Sequence, residues 1–282
     1  NEFVLIFIVN ENNNPVGSVS SSRVLTASRE VKMKDIMIDN KFLIPADMDQ
    51  EDVAYNFETY NLVSAGVVDN ENKLIGMITA DDIVTILKEE TEEDTFRLAG
   101  VSEEDISDSA IDITKKRFIW LTLNLITAVI ASLVIGLFDE NIEKVVALAI
   151  LMPIVASMGG NAATQTLTVT VRLLATKELI SSNIRKIISK EFLVGFFNGI
   201  IFAFITAILI LFWFNDKNLS ILIGLAMIIN MSIAGLFGIL TPLALDKFKI
   251  DPAIASSVFV TTITDVIGFL SFLGLASFVL GI

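Results

Sequence analysis

Residues 192–214 read FLVGFFNGIIFAFITAILILFWF, a long apolar run without a charged side chain. A helix rises about 1.5 Å per residue, so a run of this length crosses the ~30 Å hydrocarbon core of a bilayer. Four further runs are long enough to do the same: Phe118–Phe138, Val145–Ala175, Leu219–Leu245 and Pro252–Ile282. The sequence therefore predicts an α-helical membrane protein with five transmembrane helices.

Charged residues divide the chain into two parts near Thr114. The 282 residues carry a net charge of -13, yet residues 1–114 alone hold 24 acidic and 8 basic side chains. Residues 115–282 hold 9 acidic and 12 basic side chains. The sequence therefore predicts an acidic soluble domain followed by a membrane domain. The negative charge of the first part argues against a nucleic-acid partner, because phosphates would be repelled.

The sequence contains neither cysteine nor histidine. This excludes disulfides, thiolate zinc sites, iron–sulfur clusters and the usual nucleophile and general base of many enzymes. A bound metal would have to be held by oxygen atoms, which favours hard cations such as Mg²⁺, Ca²⁺ or Mn²⁺. Five predicted spans joined to a large soluble domain favour a transport protein over an enzyme.

Basic residues are concentrated on one side of the predicted spans. Ten Lys and Arg residues flank the spans on the side of the acidic domain, whereas the opposite side has Lys144 and Lys217. Because basic residues favour the cytoplasmic side, we expect a multi-pass protein of the cell membrane. Its N-terminal regulatory domain is predicted to be cytoplasmic and its C-terminus to lie outside. The polar stretch 176–192 is predicted to form an interfacial amphipathic helix.

The acidic domain contains an internal repeat with a constant offset. Val9 corresponds to Val68, and Ser20 corresponds to Thr79. Each copy is predicted to form a β-hairpin followed by a helix, so this part has an α+β fold. The predicted organisation is a partial first repeat (1–30), a second repeat (31–88), an acidic linker helix (89–114) and a five-span pore domain (115–282).

The two copies resemble a CBS-domain pair. The residues that carry the resemblance are Lys34-Asp35-Ile36-Met37, Ile44-Pro45-Ala46-Asp47, Val67-Val68-Asp69 and Gly76-Met77-Ile78-Thr79-Ala80-Asp81-Asp82. The resemblance implies that Thr79 and Asp82 bind the ribose of an adenine nucleotide such as ATP. The alternative is that Thr79 caps the helix that begins at Ala80. We favour the cap, because capping needs only local geometry.

The segment Glu89–Asp112 contains ten acidic residues and one basic residue, Arg97. Such a run is typical of a solvated linker, because like charges repel one another. Its Thr91–Leu98 portion nevertheless has helical spacing. Acidic side chains held close together relieve their repulsion by binding divalent cations. The segment is therefore either a linker or a cation sensor.

The second predicted span contains the polar stretch Pro153–Thr170, PIVASMGGNAATQTLTVT. Paired glycines let another backbone approach closely, and the side chains of Asn and Gln offer uncharged oxygen atoms to an ion. The alternative is that the small and hydroxyl residues serve helix–helix packing. On the first interpretation the candidate pore-lining residues are Gly159, Gly160, Asn161 and Gln165, with Asn161 also a candidate metal ligand.

Asp265 stands out as an ionisable residue deep in the last predicted span. A carboxylate at that depth costs roughly 2.5–3.5 kcal/mol on insertion scales, and no Lys or Arg lies at a similar depth. Thr261 and Thr262 share its helix face, so all three are candidate pore-lining residues. In a twofold dimer two Asp265 carboxylates would match a divalent cation, and Mg²⁺ would keep its water. The alternative is a protonated Asp265 that hydrogen-bonds between helices.

These membrane motifs resemble those of the MgtE family of Mg²⁺ channels and transporters. The matching residues are Pro153 to Ala162, Gln165, Arg172, Asp251-Pro252-Ala253 and Thr261 to Asp265. The resemblance implies a homodimer with the ion path at its interface and Asp265 at the family's ion-binding position. The family's N-terminal helical domain has no counterpart here, so the resemblance also predicts an N-terminally truncated chain.

The same resemblance implies a role for Mg²⁺ as regulator as well as substrate. The acidic linker would act as a plug helix, and Mg²⁺ bound among cytosolic acids would close the pore. By matching position, the candidate sensor residues are Asp49, Glu51, Asp82, Glu93, Asp94 and Asp251.

The sequence therefore predicts a homodimeric Mg²⁺ channel that is driven by the membrane potential and closed by intracellular Mg²⁺. One alternative is a secondary transporter coupled to protons or sodium, in which Asp265 exchanges a proton. Another is a membrane sensor of Mg²⁺ or nucleotide that transports nothing. A membrane enzyme is the weakest alternative, because one deep carboxylate without His, Cys or a second acid offers little chemistry.

Overall fold

The structure is a computed structural model of the chain, and it describes residues 5–39, 42–101, 107–180 and 182–281, without the side chains of residues 254–256. The chain forms two compact units, Asn1–Glu92 and Glu93–Ile282. An acidic α+β unit is therefore followed by a helical unit, as the charge distribution predicts.

The first unit contains two β-hairpins that repeat each other. The strands are β1 (Leu5–Val9), β2 (Pro15–Ser20), β4 (Ser64–Val68) and β5 (Leu74–Thr79). Within each hairpin the strands pair antiparallel, and every strand boundary of the second hairpin keeps the offset that relates Val9 to Val68. Both hairpins also shift register at the equivalent step, Ile8/Val9 and Val67/Val68. The predicted repeat is therefore confirmed.

The second repeat adds a third strand and two helices. Before the second hairpin this unit also contains α1 (Ser21–Thr26), α2 (Met33–Ile36), β3 (Leu43–Pro45) and α3 (Gln50–Tyr60). Strand β3 pairs parallel to β4, which gives the order β3-β4-β5. The buried face of α3, with Val53, Ala54 and Phe57, packs with Ile44 and Ala65 of the sheet. Parallel β3 and β4 are joined through α3, as a crossover connection requires.

Helix α4 (Ala80–Leu98) follows β5 without an interruption. It starts in the second repeat and continues through the acidic residues Glu89–Asp94. The division between the two compact units falls within this helix, between Glu92 and Glu93.

The second unit contains five helices that are long and apolar enough to cross a membrane. They are α5 (Ala110–Gly136), α7 (Ala147–Ala175), α8 (Ile184–Phe214), α9 (Lys217–Lys247) and α10 (Pro252–Leu280), with the short α6 (Asp139–Lys144) between the first two. The five predicted spans are therefore confirmed as helices among the described residues. Of these, α9 is the most buried and α5 the least.

The described residues of the polar stretch 176–192 do not form a separate helix, whereas the sequence predicts an interfacial one. Helix α7 ends at Ala175, a turn follows, and α8 begins at Ile184 and runs unbroken to Phe214. The basic residues of this stretch therefore lie partly in a turn and partly in the first turns of a span. An apolar helix can extend beyond the hydrocarbon, so a polar start does not require a separate element.

Local chemistry explains where the last two spans begin. The carboxylate of Asp216 accepts backbone hydrogen bonds from Asn218 and Leu219 at the start of α9. At the start of α10, Asp251 accepts from the N–H of Ala253 at 2.7 Å, and Pro252 occupies the first helical position. Both are standard N-terminal signals, because they satisfy donors that the helix leaves unpaired.

Candidate functional site

Polar side chains form an exposed stripe along α7. Ser157, Asn161, Thr164, Gln165 and Thr168 are all exposed, and their spacing of three to four residues puts them on one face. The hydroxyls of Thr164 and Thr168 donate to backbone carbonyls one turn earlier, at 2.9 Å each. Their lone pairs and the amides of Asn161 and Gln165 are therefore presented to the outside of the single chain.

The two glycines of this motif lie on different faces. Gly159 is buried against Asn230 of α9, whereas Gly160 has open space where a side chain would lie. The structure thus brings Gly160, Asn161 and Gln165 to the exposed side of α7 and turns Gly159 towards the interior.

Asp265 lies in α10, which packs against α7 and α9. Its side chain is half-buried, and among the described residues no Lys or Arg forms an ion pair with it. One turn earlier, the hydroxyls of Thr261 and Thr262 donate to backbone carbonyls at 2.8 and 2.6 Å. Asp265 is therefore a half-buried carboxylate without an ion-pair partner among the described residues, and hydroxyl oxygens lie one turn away along its helix.

The end of α4 forms an ion-pair cluster with the start of α10. The guanidinium of Arg97 donates to the carboxylates of Glu93 and Asp251. Nearby, Leu98 packs on the buried side chains of Leu167, Val171 and Ala253. Asp251 has two roles here, because one oxygen caps α10 and the other accepts from Arg97.

Asp94 also belongs to this acidic cluster. Partial burial raises the pKa of its carboxyl above the ordinary 3.8, and the negative charges of Asp251 and Glu93 add to the effect, whereas Arg97 opposes it. Like charges held in a partly desolvated place disfavour ionisation. Among the described residues no three acidic side chains are arranged to hold one metal ion. Here Arg97 supplies the positive charge between two of the carboxylates.

The other candidate sensor residues lie in the first unit. Asp49 caps α3 and accepts from the backbone N–H of Glu51 at 2.9 Å. Asp82 is exposed and accepts from the backbone N–H and the hydroxyl of Thr79, at 2.8 and 2.6 Å. These hydrogen bonds lower the pKa of Asp82 below the ordinary 3.8. The Thr79 hydroxyl also donates to Asp81 at 2.5 Å. Thr79 and Asp82 thus satisfy each other at the start of α4.

Sequence reasoning missed two residues of the second unit. It noted Arg97 as the one base in an acidic run but did not foresee its contact with Asp251, which lies 154 residues later. It also missed Asn230, a fully buried amide in the middle of apolar α9. An amide at the centre of a 31-residue membrane helix is itself a signal that could have found it.

Family models match both parts of the chain. The MgtE model, described as a divalent cation transporter, matches residues 152–275, and the CBS domain model matches residues 33–89. The chain is 31% identical over 273 residues to the "Magnesium transporter MgtE" of Bacillus subtilis (strain 168), covering 96% of this chain and 60% of that protein. It is 30% identical over 272 residues to the protein of the same name from Enterococcus faecalis (strain ATCC 700802 / V583), with the same coverage.

The chain therefore spans about 60% of the length of these curated relatives. Among solved structures, the "Crystal structure of the cytosolic domain of the Mg2+ channel MgtE in complex with ATP" is 28% identical. It covers 30% of this chain and 35% of that one, with a TM-score of 0.29.

Proposed function

From these similarities we propose that the chain is a member of the MgtE family and forms a homodimeric Mg²⁺ channel of the cell membrane. In this proposal the ion path lies at the dimer interface, and Asp265 of each copy binds hydrated Mg²⁺. The acidic cluster at the end of α4 binds intracellular Mg²⁺ and closes the path. The N-terminal unit lies in the cytoplasm and the C-terminus outside, in accordance with the distribution of basic residues.

The observation that carries the proposal is the exposed polar stripe of α7. Polar side chains that face lipid are costly, so such residues in membrane helices face a partner or a water-filled path. The stripe occupies a helix that is otherwise apolar enough to span the bilayer. A second copy placed against Asn161, Gln165 and their neighbours would remove them from lipid and create a polar path between the two chains.

Asp265 supplies the charge for such a path. Among the described residues it has no basic partner, and Thr261 and Thr262 place oxygens on the same helix one turn away. Two copies provide two carboxylates, which match a divalent ion. Mg²⁺ gives up its water reluctantly, so we propose that the carboxylates and the amide of Asn161 meet it through bound water. A potential of 100 mV supplies about 4.6 kcal/mol to a divalent ion.

The acidic cluster supports the proposed closure by Mg²⁺. Glu93, Asp94 and Asp251 crowd around one Arg97, and partial burial together with the repulsion among these acids raises the pKa of Asp94. A divalent cation would relieve this repulsion and hold the end of α4 against the start of α10. Asp49, Glu51 and Asp82 are proposed as further acids of the sensor, and residues 89–114 as its plug segment.

We also propose that the CBS repeat binds an adenine nucleotide at Thr79 and Asp82. The two side chains lie within hydrogen-bond distance of each other at an exposed helix start, so a ribose hydroxyl could take the place of one partner. The competing role is local to the helix start, where the Asp82 carboxylate accepts from the backbone N–H of Thr79, the residue before α4.

Flux in liposomes tests the proposed function. Purified chain should carry Mg²⁺ along its gradient when the membrane potential is set by potassium and valinomycin and no proton gradient exists. Flux that requires a proton or sodium gradient would favour coupled transport instead. Absence of Mg²⁺ flux under all gradients, with Mg²⁺ still stabilising the protein against heat, would favour a sensor.

A further inference from the structure

Asn230 is a fully buried amide at the centre of α9. Its Nδ2 donates a 2.8 Å hydrogen bond to the backbone carbonyl of Val155 on α7. Its Oδ1 is buried and has no hydrogen-bond partner within the described part of the chain. An amide oxygen buried without a partner is unfavourable, so an apolar residue of the same size would cost less there. Filling space therefore does not explain why an amide occupies position 230.

The Asn230 amide fills the volume in front of two glycines on two different helices. A methyl group added to Gly268 of α10 would lie 2.8 Å from Nδ2 of Asn230, and one added to Gly159 of α7 would lie closer still. Neither position accepts a side chain while Asn230 keeps its place. Asn230 is thus in contact with α7 and α10 at once.

Both glycines are close to the proposed ion-path residues. Gly159 precedes Asn161 by two residues, which puts the two positions on nearly opposite faces of α7. Gly268 follows Asp265 by three residues, about 4.5 Å along the axis of α10. A displacement of either helix at Asn230 would therefore displace Asn161 or Asp265 as well.

Helix α9 is held firmly from its other side. A methyl group at Gly199 of α8 would lie 2.9 Å from the Cα atom of Ile228, and one at Gly195 would lie closer still to the backbone of Met231. Backbone-to-backbone contacts of this kind leave little room for movement. A change in the size of residue 230 is therefore expected to move α7 and α10 rather than α9.

We propose that Asn230 is a positioning residue that sets the separation of α7 and α10 and, through it, the placement of Asn161 and Asp265 around the ion. The hydrogen bond to Val155 fixes α7, and the bulk of the amide against Gly268 fixes α10. This proposal rests on the proposed ion path, so its test has one readout that depends on transport and one that does not.

A double-mutant cycle followed by thermal melting tests the contact without transport. Gly159→Ala should lower the melting temperature by several degrees, because the methyl group meets Asn230. Adding Asn230→Ala should recover part of this loss, since the clash is gone. Gly274→Ala is the matched control, because nothing lies within 4 Å of its added methyl group. Strictly additive effects of the two substitutions on the melting temperature would show that residues 159 and 230 are not coupled and would overturn the proposal.

Flux ratios test the positioning role. Asn230→Ala and Gly268→Ala should change the ratio of Mg²⁺ to Ca²⁺ flux by about tenfold, a difference of about 1.4 kcal/mol between the two ions. Ca²⁺ accepts more ligands and looser geometry, so the two ions respond differently to the spacing of the helices. A merely structural role would lower both fluxes together, and that result would overturn the proposal. If the wild type carries neither ion while the cycle shows coupling, the proposed function fails and the contact alone stands.

Discussion

Arg97 of α4 donates a hydrogen bond to Asp251, the residue that caps the N-terminus of α10. The contact joins the end of the acidic helix to the first turn of the span that carries Asp265. Because Asp251 both caps α10 and accepts from Arg97, a change in the acidic cluster acts directly on the start of that span. This contact offers a short physical route between the proposed Mg²⁺-binding cluster and the proposed ion path.

Replacing Arg97 by Gln removes the positive charge that Glu93 and Asp251 share. We expect flux at low Mg²⁺ to rise by up to about fivefold, equivalent to about 1 kcal/mol for a partly exposed ion pair. High Mg²⁺ should still close the path, because the cation replaces the guanidinium. The measurement is liposome flux at low and high Mg²⁺, with Lys88→Gln as the exposed control on the same helix. An unaltered flux at low Mg²⁺ would contradict this view of the cluster.

Asp94 should make the stability of the second unit depend on pH. Its pKa is raised above 3.8, so the folded state holds the proton more tightly than the unfolded chain does. The stabilisation that comes from this tighter proton binding is therefore present at low pH and is lost as the pH rises through the raised pKa. Asp94→Asn should flatten this dependence and raise the melting temperature at neutral pH without Mg²⁺, by about 2–4 °C.

Melting curves from pH 4 to pH 8 in the absence of divalent cations check the Asp94 prediction, with the exposed Glu92→Gln as control. Added Mg²⁺ should stabilise the wild type more than Asp94→Asn. Identical pH profiles for the wild type and Asp94→Asn would show that the burial of this carboxyl has no energetic consequence.

The dimer proposal predicts a specific pattern of cross-linking. The chain has no cysteine, so single cysteines can be introduced without further changes. Gln165→Cys on the exposed stripe of α7 should give a covalent dimer with a short bifunctional thiol reagent in membranes. Phe204→Cys, on an exposed apolar position of α8, is the matched control and should stay monomeric. Dimers from the α8 position and none from α7 would place the interface elsewhere.

Substitution of Thr79 tests whether this residue serves the start of the helix or binds a nucleotide. Thr79→Val removes the hydroxyl that donates to Asp81 and Asp82, and we expect a loss of about 1 kcal/mol in stability from these hydrogen bonds. Ser20→Ala, at the equivalent position of the first repeat, should have a similar effect on stability, because Ser20 caps α1. Calorimetric titration with ATP then separates the two roles. If Thr79 binds the nucleotide, Thr79→Val should weaken ATP binding and Ser20→Ala should not.

The sequence predicts most of the fold because the signals are local. The repeat is visible in turn residues and strand patterns, and the offset between Val9 and Val68 recurs in every strand boundary of the two hairpins. The spans are visible in hydropathy. The stretch 176–192 was mispredicted, because composition alone does not tell whether polar residues lie flat on a membrane or begin a span that extends into water.

The parts of the candidate site that the sequence could not predict depend on tertiary contacts. Arg97 and Asp251 lie 154 residues apart, so no local pattern relates them. Asn230 is identifiable as a polar residue in α9, but its role follows only from the glycines of two other helices that face it. Asp265 is identifiable from the sequence because a carboxylate in an apolar helix is exceptional by itself.

In the proposed function, Asp265 binds the ion that crosses the membrane. Mg²⁺ flux into liposomes should fall at least about tenfold in Asp265→Asn, because the variant removes both carboxylates from the path of a dimer, a loss of about 1.4 kcal/mol or more. Asp246→Asn, an exposed acid at the end of α9, should conduct like the wild type. Wild-type flux in Asp265→Asn would contradict the account.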